Sequence, residues 1–172
     1  LNRFISERVS QIRNWNMEFI QGDILNKKLI EKYFTDADVV HHLAGVTDVP
    51  RTKNESSKLQ DEKIKEVGEK GTQNILDAIS DKCKIIFPST HVVYEGIREV
   101  KKDIKEDEET NPVLSYSTSK AVNENQLKKS GKNFIILRLG SVYGYSTDSM
   151  RIDIMPNLFS KIASQDGTLK LF

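Results

Sequence analysis

Tyr116 and Lys120 stand four residues apart in Tyr-Ser-Thr-Ser-Lys. Residues at that spacing share one helical face, so a phenol and an ammonium can serve one site. A free phenol has a pKa near ~10 and is a poor base at neutral pH. An adjacent ammonium favours the phenolate and lowers that pKa. The pair is therefore a means of moving a proton near pH 7. The bland alternative is a surface helix with its tyrosine packed inward.

The elements that must position this pair follow from the apolar pattern. Met17 to Gln21 reads as a short strand stopped by Gly22-Asp23. Asn26 is placed to cap a helix through Phe34, with Leu29, Ile30 and Phe34 at helical spacing. Val39 to Leu43 is a second strand, ended by Ala44-Gly45. A polar, Lys-rich segment leads into a helix over Gly71 to Ile79. Lys84 to Phe87 is a third strand, ended by Pro88-Ser89-Thr90, and residues 95 to 111 read as a charged surface loop. The Tyr116 helix runs to Ser130, with Gly131 as its stop signal. Phe134 to Leu139 is a fourth strand, and Asp153 to Ala163 suits one more helix. Leu1 to Asn16 reads as a connector.

Strands alternate with helices, and the strands are short, apolar and continuous, as parallel strands covered on both faces should be. The expected architecture is α/β: an open, doubly wound parallel sheet, Rossmann-like, with right-handed crossovers. Ligands in such sheets bind beyond the carboxyl ends of the strands. Those ends carry Asp23, Leu43 to Gly45, Ser89 to His91 and Gly140 to Gly144.

The 172 residues are long enough to build one core, with 37% hydrophobic and 30% charged residues. The formal net charge of +1 offers no field for nucleic acid, and no apolar run is long enough to span a membrane. Cys83 is the only cysteine, which excludes an internal disulfide and suits a reducing compartment. The three histidines lack metal-ligand spacing, so no metal is expected. Arg138, at the end of a buried strand, needs a partner. The chain starts at Leu1 and stops at Phe172, just after strand-like Thr168 to Leu171, and both ends read as cuts within a longer protein.

Six pieces in order resemble the extended short-chain dehydrogenase/reductases of the NAD-dependent nucleotide-sugar epimerase/dehydratase group. They are Gly22-Asp23-Ile24, Val40 to Gly45, Gly71 to Leu76, Phe87 to Tyr94, the Tyr116/Lys120 pair, and Leu137 to Gly144. The resemblance implies a partial NAD-binding domain over 1–150 and the start of a substrate domain over 151–172. It implies catalytic roles for Thr90, Tyr116 and Lys120. Asp23, Ile24, Leu43, Ala44, Gly45, Tyr116 and Lys120 would contact NAD, with NADP left open. Thr90, His91 and Ser141 would contact a nucleotide-sugar substrate. The full-length protein would be a cytoplasmic homodimer.

Departures from the family pattern are equally informative. The 172 residues hold no Gly-x-Gly-x-x-Gly or Gly-x-x-Gly-x-x-Gly, so the strand and turn that hold the pyrophosphate are expected upstream. His91 and Val92 stand where 4,6-dehydratases carry an Asp-Glu pair, which disfavours that chemistry. Gly68 and Ser141 stand where many members have asparagines. The rival readings are a non-catalytic NAD-binding-fold protein with a regulatory or scaffold role, and a reductase on a non-nucleotide substrate.

Overall fold

The computed structural model describes residues 15, 17–46, 57–145, 152 and 154–170. The chain forms two compact units, one over 22–140 and one made of 1–21 with 141–172. The first unit holds α1 (Lys27–Phe34), β1 (Val39–His41), α2 (Lys58–Lys65), a π-helical turn (Glu66–Lys70) and α3 (Gly71–Ala78). There follow β2 (Lys84–Thr90), a 3-10 turn (His91–Tyr94), α4 (Ser115–Lys129) and β3 (Asn133–Leu139). The second unit holds α5 (Met155–Ala163).

The three strands form one parallel sheet in the order β1-β2-β3. Each crossover carries helix, and successive right-handed crossovers in one direction place their helices on one face. That face is the core. Val40, Ile85 and Phe87 meet Ile30 of α1, Ile75 and Leu76 of α3, and Leu127 of α4. On the opposite face Ile135, Leu137 and Leu139 are each about 40% exposed. Cover on both faces, expected from the apolar runs, is thus not seen on β3 among the described residues.

Local signals account for the helix ends. Asn26 Oδ1 accepts the Leu29 N–H at 3.2 Å and starts α1. Gly131 adopts φ +69 immediately after the last turn of α4, a left-handed C-terminal position that glycine fills without strain. The start of α4 is unusual, because Leu114 has no side-chain acceptor. A carboxylate from the preceding loop instead pins the chain as it enters the helix. Glu95 Oε1 accepts the N–H groups of Val113 at 2.8 Å and Leu114 at 2.6 Å, and the Ser117 hydroxyl.

Several boundaries differ from the expectation. Met17 to Gln21 is not a strand: it has no ladder partner among the described residues, and Met17 and Phe19 are exposed. Residues 168–170 are likewise not a strand. The polar segment before Gly71 is helical from Lys58, started by Ser57, whose hydroxyl accepts the Gln60 N–H at 3.2 Å. Leu1 to Asn14, Asn16 and Asp153 lie outside the described residues.

β2 also runs on through Pro88 to Thr90. Proline in a central strand would normally cost a ladder bond. Here Lys84 N–H donates to Asp38 O and Ile86 O accepts from His42 N–H, so residues 84, 86 and, by alternation, 88 face β1. β1 ends at His41. By the same alternation the N–H that proline lacks would have faced His42, so the proline marks the step at which the β1–β2 ladder stops.

Candidate active site

The Pro88 carbonyl is left without a strand partner for the same reason. Lys120 meets it: Nζ donates to Pro88 O at 2.8 Å. The ammonium lies 4.5 Å from the centre of the Phe87 ring and 5.9 Å from that of Tyr116. Burial in this apolar setting lowers the Lys120 pKa to about 8. Tyr116, one turn earlier, is half-buried. The helical spacing of the pair thus becomes a site at the carboxyl edge of the sheet.

Thr90 ends β2, two residues beyond the carbonyl that holds Lys120. It is 8% exposed, and its Oγ1 accepts the Val92 N–H at 3.3 Å, capping the turn that follows. His91 is exposed, and its Nδ1–H donates to Leu139 O at 3.1 Å, tying the turn to the end of β3.

Behind Tyr116 and Lys120 lies a narrow cavity of about 10 Å³ lined by Ala44, Gly45, Gly68 and Ser119 as well as the pair itself. Ala44 and Gly45, from the end of β1, are therefore brought beside the pair. Leu43 is 73% exposed. At the back of the cavity a side chain on Gly68 would meet the Ser119 hydroxyl, since a Cβ would stand 2.3 Å from it. The Asn123 amide donates to Gly68 O at 3.1 Å. Sequence reasoning does not single out Ser119 or Asn123. Their spacing from Tyr116 and Lys120 on one helix is the signal that could have found them.

Asp23 and Ile24 belong to the turn before α1. Asp23 Oδ1 accepts the Leu25 N–H at 2.8 Å, an Asx turn. Ile24 rests its side chain against Gly71, and its carbonyl accepts from the Asn74 amide at 3.0 Å. Ser141 is exposed and belongs to the other unit.

Two buried polar groups surround the site. His42 is 2% exposed, lies with its ring 5.4 Å from that of Phe87 at a 44° tilt, and shares a 2.8 Å hydrogen bond with Thr72 Oγ1. Its Nδ1 has no hydrogen-bond partner among the described residues. Burial, with the nearby Lys120 charge, lowers its pKa to about 4, so the ring is neutral at pH 7. Arg138 has the partner its position demands. Its Nη2 bonds Glu124 Oε2 at 2.6 Å. Burial alone would raise the Glu124 carboxyl, but bonds from Arg138 and Ser89 outweigh it and hold the group below the ordinary carboxylate range. Among the described residues, no cluster of three or more His, Cys, Asp or Glu is arranged to hold a metal. No described helix is long and apolar enough to cross a membrane.

The model of the NAD dependent epimerase/dehydratase family matches residues 3–172. A dTDP-D-glucose 4,6-dehydratase of Dictyostelium discoideum is 30% identical over 150 residues, covering 77% of this chain and 33% of that protein. A 3beta-hydroxysteroid-dehydrogenase/decarboxylase isoform 2 of Arabidopsis thaliana is 26% identical over 147 residues, covering 77% of this chain and 24% of that one. A solved Tyr-to-Phe mutant of UDP-glucuronic acid 4-epimerase from Bacillus cereus, in complex with NAD and a fluorinated UDP-sugar, aligns with TM-score 0.73 and 26% identity. That alignment covers 97% of this chain and 52% of the solved one. The chain thus spans a third or less of these curated relatives.

Proposed function

The chain belongs to the NAD dependent epimerase/dehydratase family, and from that premise we propose that it carries the proton-transfer side of an enzyme acting on a nucleotide sugar with NAD. The observation that carries this reading is the Lys120 ammonium, seated on Pro88 O at 2.8 Å and one helical turn from Tyr116, at the carboxyl edge of the sheet. The reaction proposed is epimerisation or a closely related oxidation–reduction. His91 and Val92, in place of an Asp-Glu pair, argue against 4,6-dehydration, even though one relative bears that name.

The residues present suit one end of the cofactor. Among the described residues nothing stands within 4 Å of where a Cβ on Gly45 would be. Lys120 has donors beyond the one used on Pro88 O for ribose hydroxyls. Leu43, Ala44 and Gly45 would flank that end, with Asp23 and Ile24 toward the adenine. NAD, when bound, supplies a hydride acceptor. Tyr116, as phenolate, takes the proton from the sugar hydroxyl and returns it on reduction. Lys120 favours the phenolate through its charge. The Thr90 hydroxyl bonds the same substrate oxygen, while His91 and Ser141 hold the remainder of the sugar nucleotide. We assign 1–150 to the cofactor domain and 151–172 to the start of the substrate domain, in a cytoplasmic homodimer.

The test is turnover by the protein that carries this chain, supplied with NAD and a panel of UDP-, GDP- and dTDP-sugars. An epimerised product is expected. Bound cofactor with no turnover on any of them would favour a non-catalytic role, and activity confined to a 3β-hydroxysteroid would overturn the substrate class.

A further inference from the structure

One buried carboxylate joins three of the elements that frame the site. Ser89 Oγ–H donates to Glu124 Oε1 at 2.6 Å. Arg138 grips the same carboxylate side-on, Nε to Oε1 at 3.0 Å and Nη2 to Oε2 at 2.6 Å. Ser89 and Arg138 are cross-strand partners in the β2–β3 register. Glu124 lies one turn beyond Lys120 and two beyond Tyr116 on α4, and it is 1% exposed. The guanidinium continues into the loop that follows Thr90, donating from Nη1 to Tyr94 Oη and, at 3.0 Å, to Glu106 O.

Stability alone does not explain such a pair. A buried ion pair often contributes no more than apolar residues of the same volume, because both charges lose their water. What it adds is direction, since a planar fork on a carboxylate accepts one geometry. α4 is thereby fixed to β2 at two successive points, Lys120 on Pro88 O and Glu124 on Ser89 Oγ. The first contact involves a group the chemistry also uses. The second touches nothing that reacts, and Thr90 is the next residue along the strand.

We propose that Glu124 and Arg138 are positioning residues, which hold the Thr90 hydroxyl and the Tyr116 phenol in the register that proton transfer requires. The proposal rests on the proton-transfer reading above. Misplacing a reacting group by about 1 Å can cost on the order of 100-fold in rate.

The test uses Ser89→Ala, Arg138→Lys, Arg138→Met and the apolar pair Glu124→Leu/Arg138→Met in the full protein, each checked for folding by thermal unfolding. The expected result is a kcat lower by about 10- to 100-fold in the folded apolar pair, with KM for the sugar nucleotide and Kd for NAD unchanged. Arg138→Lys, which keeps the charge but not the fork, should recover only part of the loss seen with Arg138→Met. Ser89→Ala, which removes one hydroxyl, should lower kcat measurably with its melting point intact, and it decides the matter if the pair fails to fold. Unchanged kcat in Ser89→Ala and Arg138→Lys would overturn the proposal, as would a loss that merely tracks the unfolded fraction. Should the wild type turn over no sugar nucleotide, the substrate reading fails and crystals decide the positioning. Between wild type and Arg138→Lys, the Thr90 Oγ1 to Tyr116 Oη separation should change by roughly 0.5 Å or more. An unaltered separation rejects it.

Discussion

Lys120 and Pro88 are joined by a 2.8 Å hydrogen bond from the ammonium to the carbonyl. The proline marks the step at which the β1–β2 ladder stops, and its orphan carbonyl receives the side chain from α4. The ammonium has little water around it, and burial lowers its pKa to about 8.

This burial has a sign for stability. The folded-state pKa of about 8 lies below the unfolded value near 10.5. The unfolded chain therefore binds more protons between those limits, and stability rises with pH across them. Below about pH 8 the full cost of the buried charge is present. Lys120→Met should therefore be more stable than wild type at pH 7, by on the order of 1–3 kcal/mol, while losing activity. Urea unfolding at pH 7 and pH 10 checks this, and the difference should shrink toward pH 10. A less stable Lys120→Met at pH 7 would refute the argument.

Tyr116→Phe removes the phenol oxygen that we propose carries the proton. Its kcat in the full protein should fall by about two to four orders of magnitude. NAD affinity should stay nearly constant, because the phenol oxygen serves the substrate. Lys120→Ala should weaken both. Steady-state kinetics with a parallel cofactor titration separates these outcomes, and near-normal turnover by Tyr116→Phe would remove the tyrosine from its role.

His42 is the acid-sensitive point of the core. Its folded pKa is about 4, against an ordinary value of 6.5. As pH falls from 6.5 toward 4 the unfolded state takes a proton that the folded state refuses, so the fold loses up to about 1.4 kcal/mol per pH unit from this group. His42→Gln keeps a side chain able to bond Thr72 but does not titrate. Its stability should depend less on pH between 4 and 6.5 than that of wild type. Parallel pH curves for the two proteins would show that the ring is not the cause.

Much of this is legible in the sequence because it rests on short-range rules. The caps at Asn26 and Gly131, the strand ending before Gly140, and the Tyr116/Lys120 spacing all depend on neighbours in the chain, whereas β1 stops at His41, short of the Ala44-Gly45 signal. What escapes depends on distant partners. Pro88 reads as a stop until the length of β1 is known. Arg138 announces its need for an anion, but nothing in the sequence selects Glu124 over the other acidic residues. Residues 58–65 are too polar to show a helical period, since Ile64 is the one fully buried side chain among them. The alternation of exposure along β3 is hidden because the residues on both of its faces are apolar.

Glu95 reads in the sequence as one charge in a surface loop. In the structure it pins the entry to the helix that carries Tyr116 and Lys120, through Val113 N–H, Leu114 N–H and Ser117 Oγ. Glu95→Ala should cost about 1 kcal/mol, the usual net worth of a lost hydrogen bond. The first turn of α4 should fray, and Tyr116 lies in that turn. Amide hydrogen exchange should therefore speed up at Thr118 and Ser119 more than at Leu127, and Glu95→Gln should restore part of the protection. Uniform exchange changes along α4 would show that the carboxylate does not hold that end of the helix.

The final expectation concerns the cofactor. Lys120 and the end of β1 are the residues we propose for the nicotinamide ribose, yet the 172 residues contain no Gly-rich turn for the pyrophosphate. In a dinucleotide fold that group is held by backbone N–H donors and the positive end of a helix. Hydrogen bonds to a charged group are worth roughly 1.5–3 kcal/mol each. Forgoing two of them weakens binding by about two to four powers of ten, at ~1.4 kcal/mol per tenfold. The 172-residue chain on its own should therefore bind NAD far more weakly than a solved relative of twice the span. β1 is an edge strand among the described residues, with Val39 48% exposed, and such an edge invites association. Calorimetric titration of NAD into the isolated chain, with sedimentation run on the same sample, tests both points. Micromolar affinity in a monodisperse monomer would mean that these residues hold the pyrophosphate by some other group.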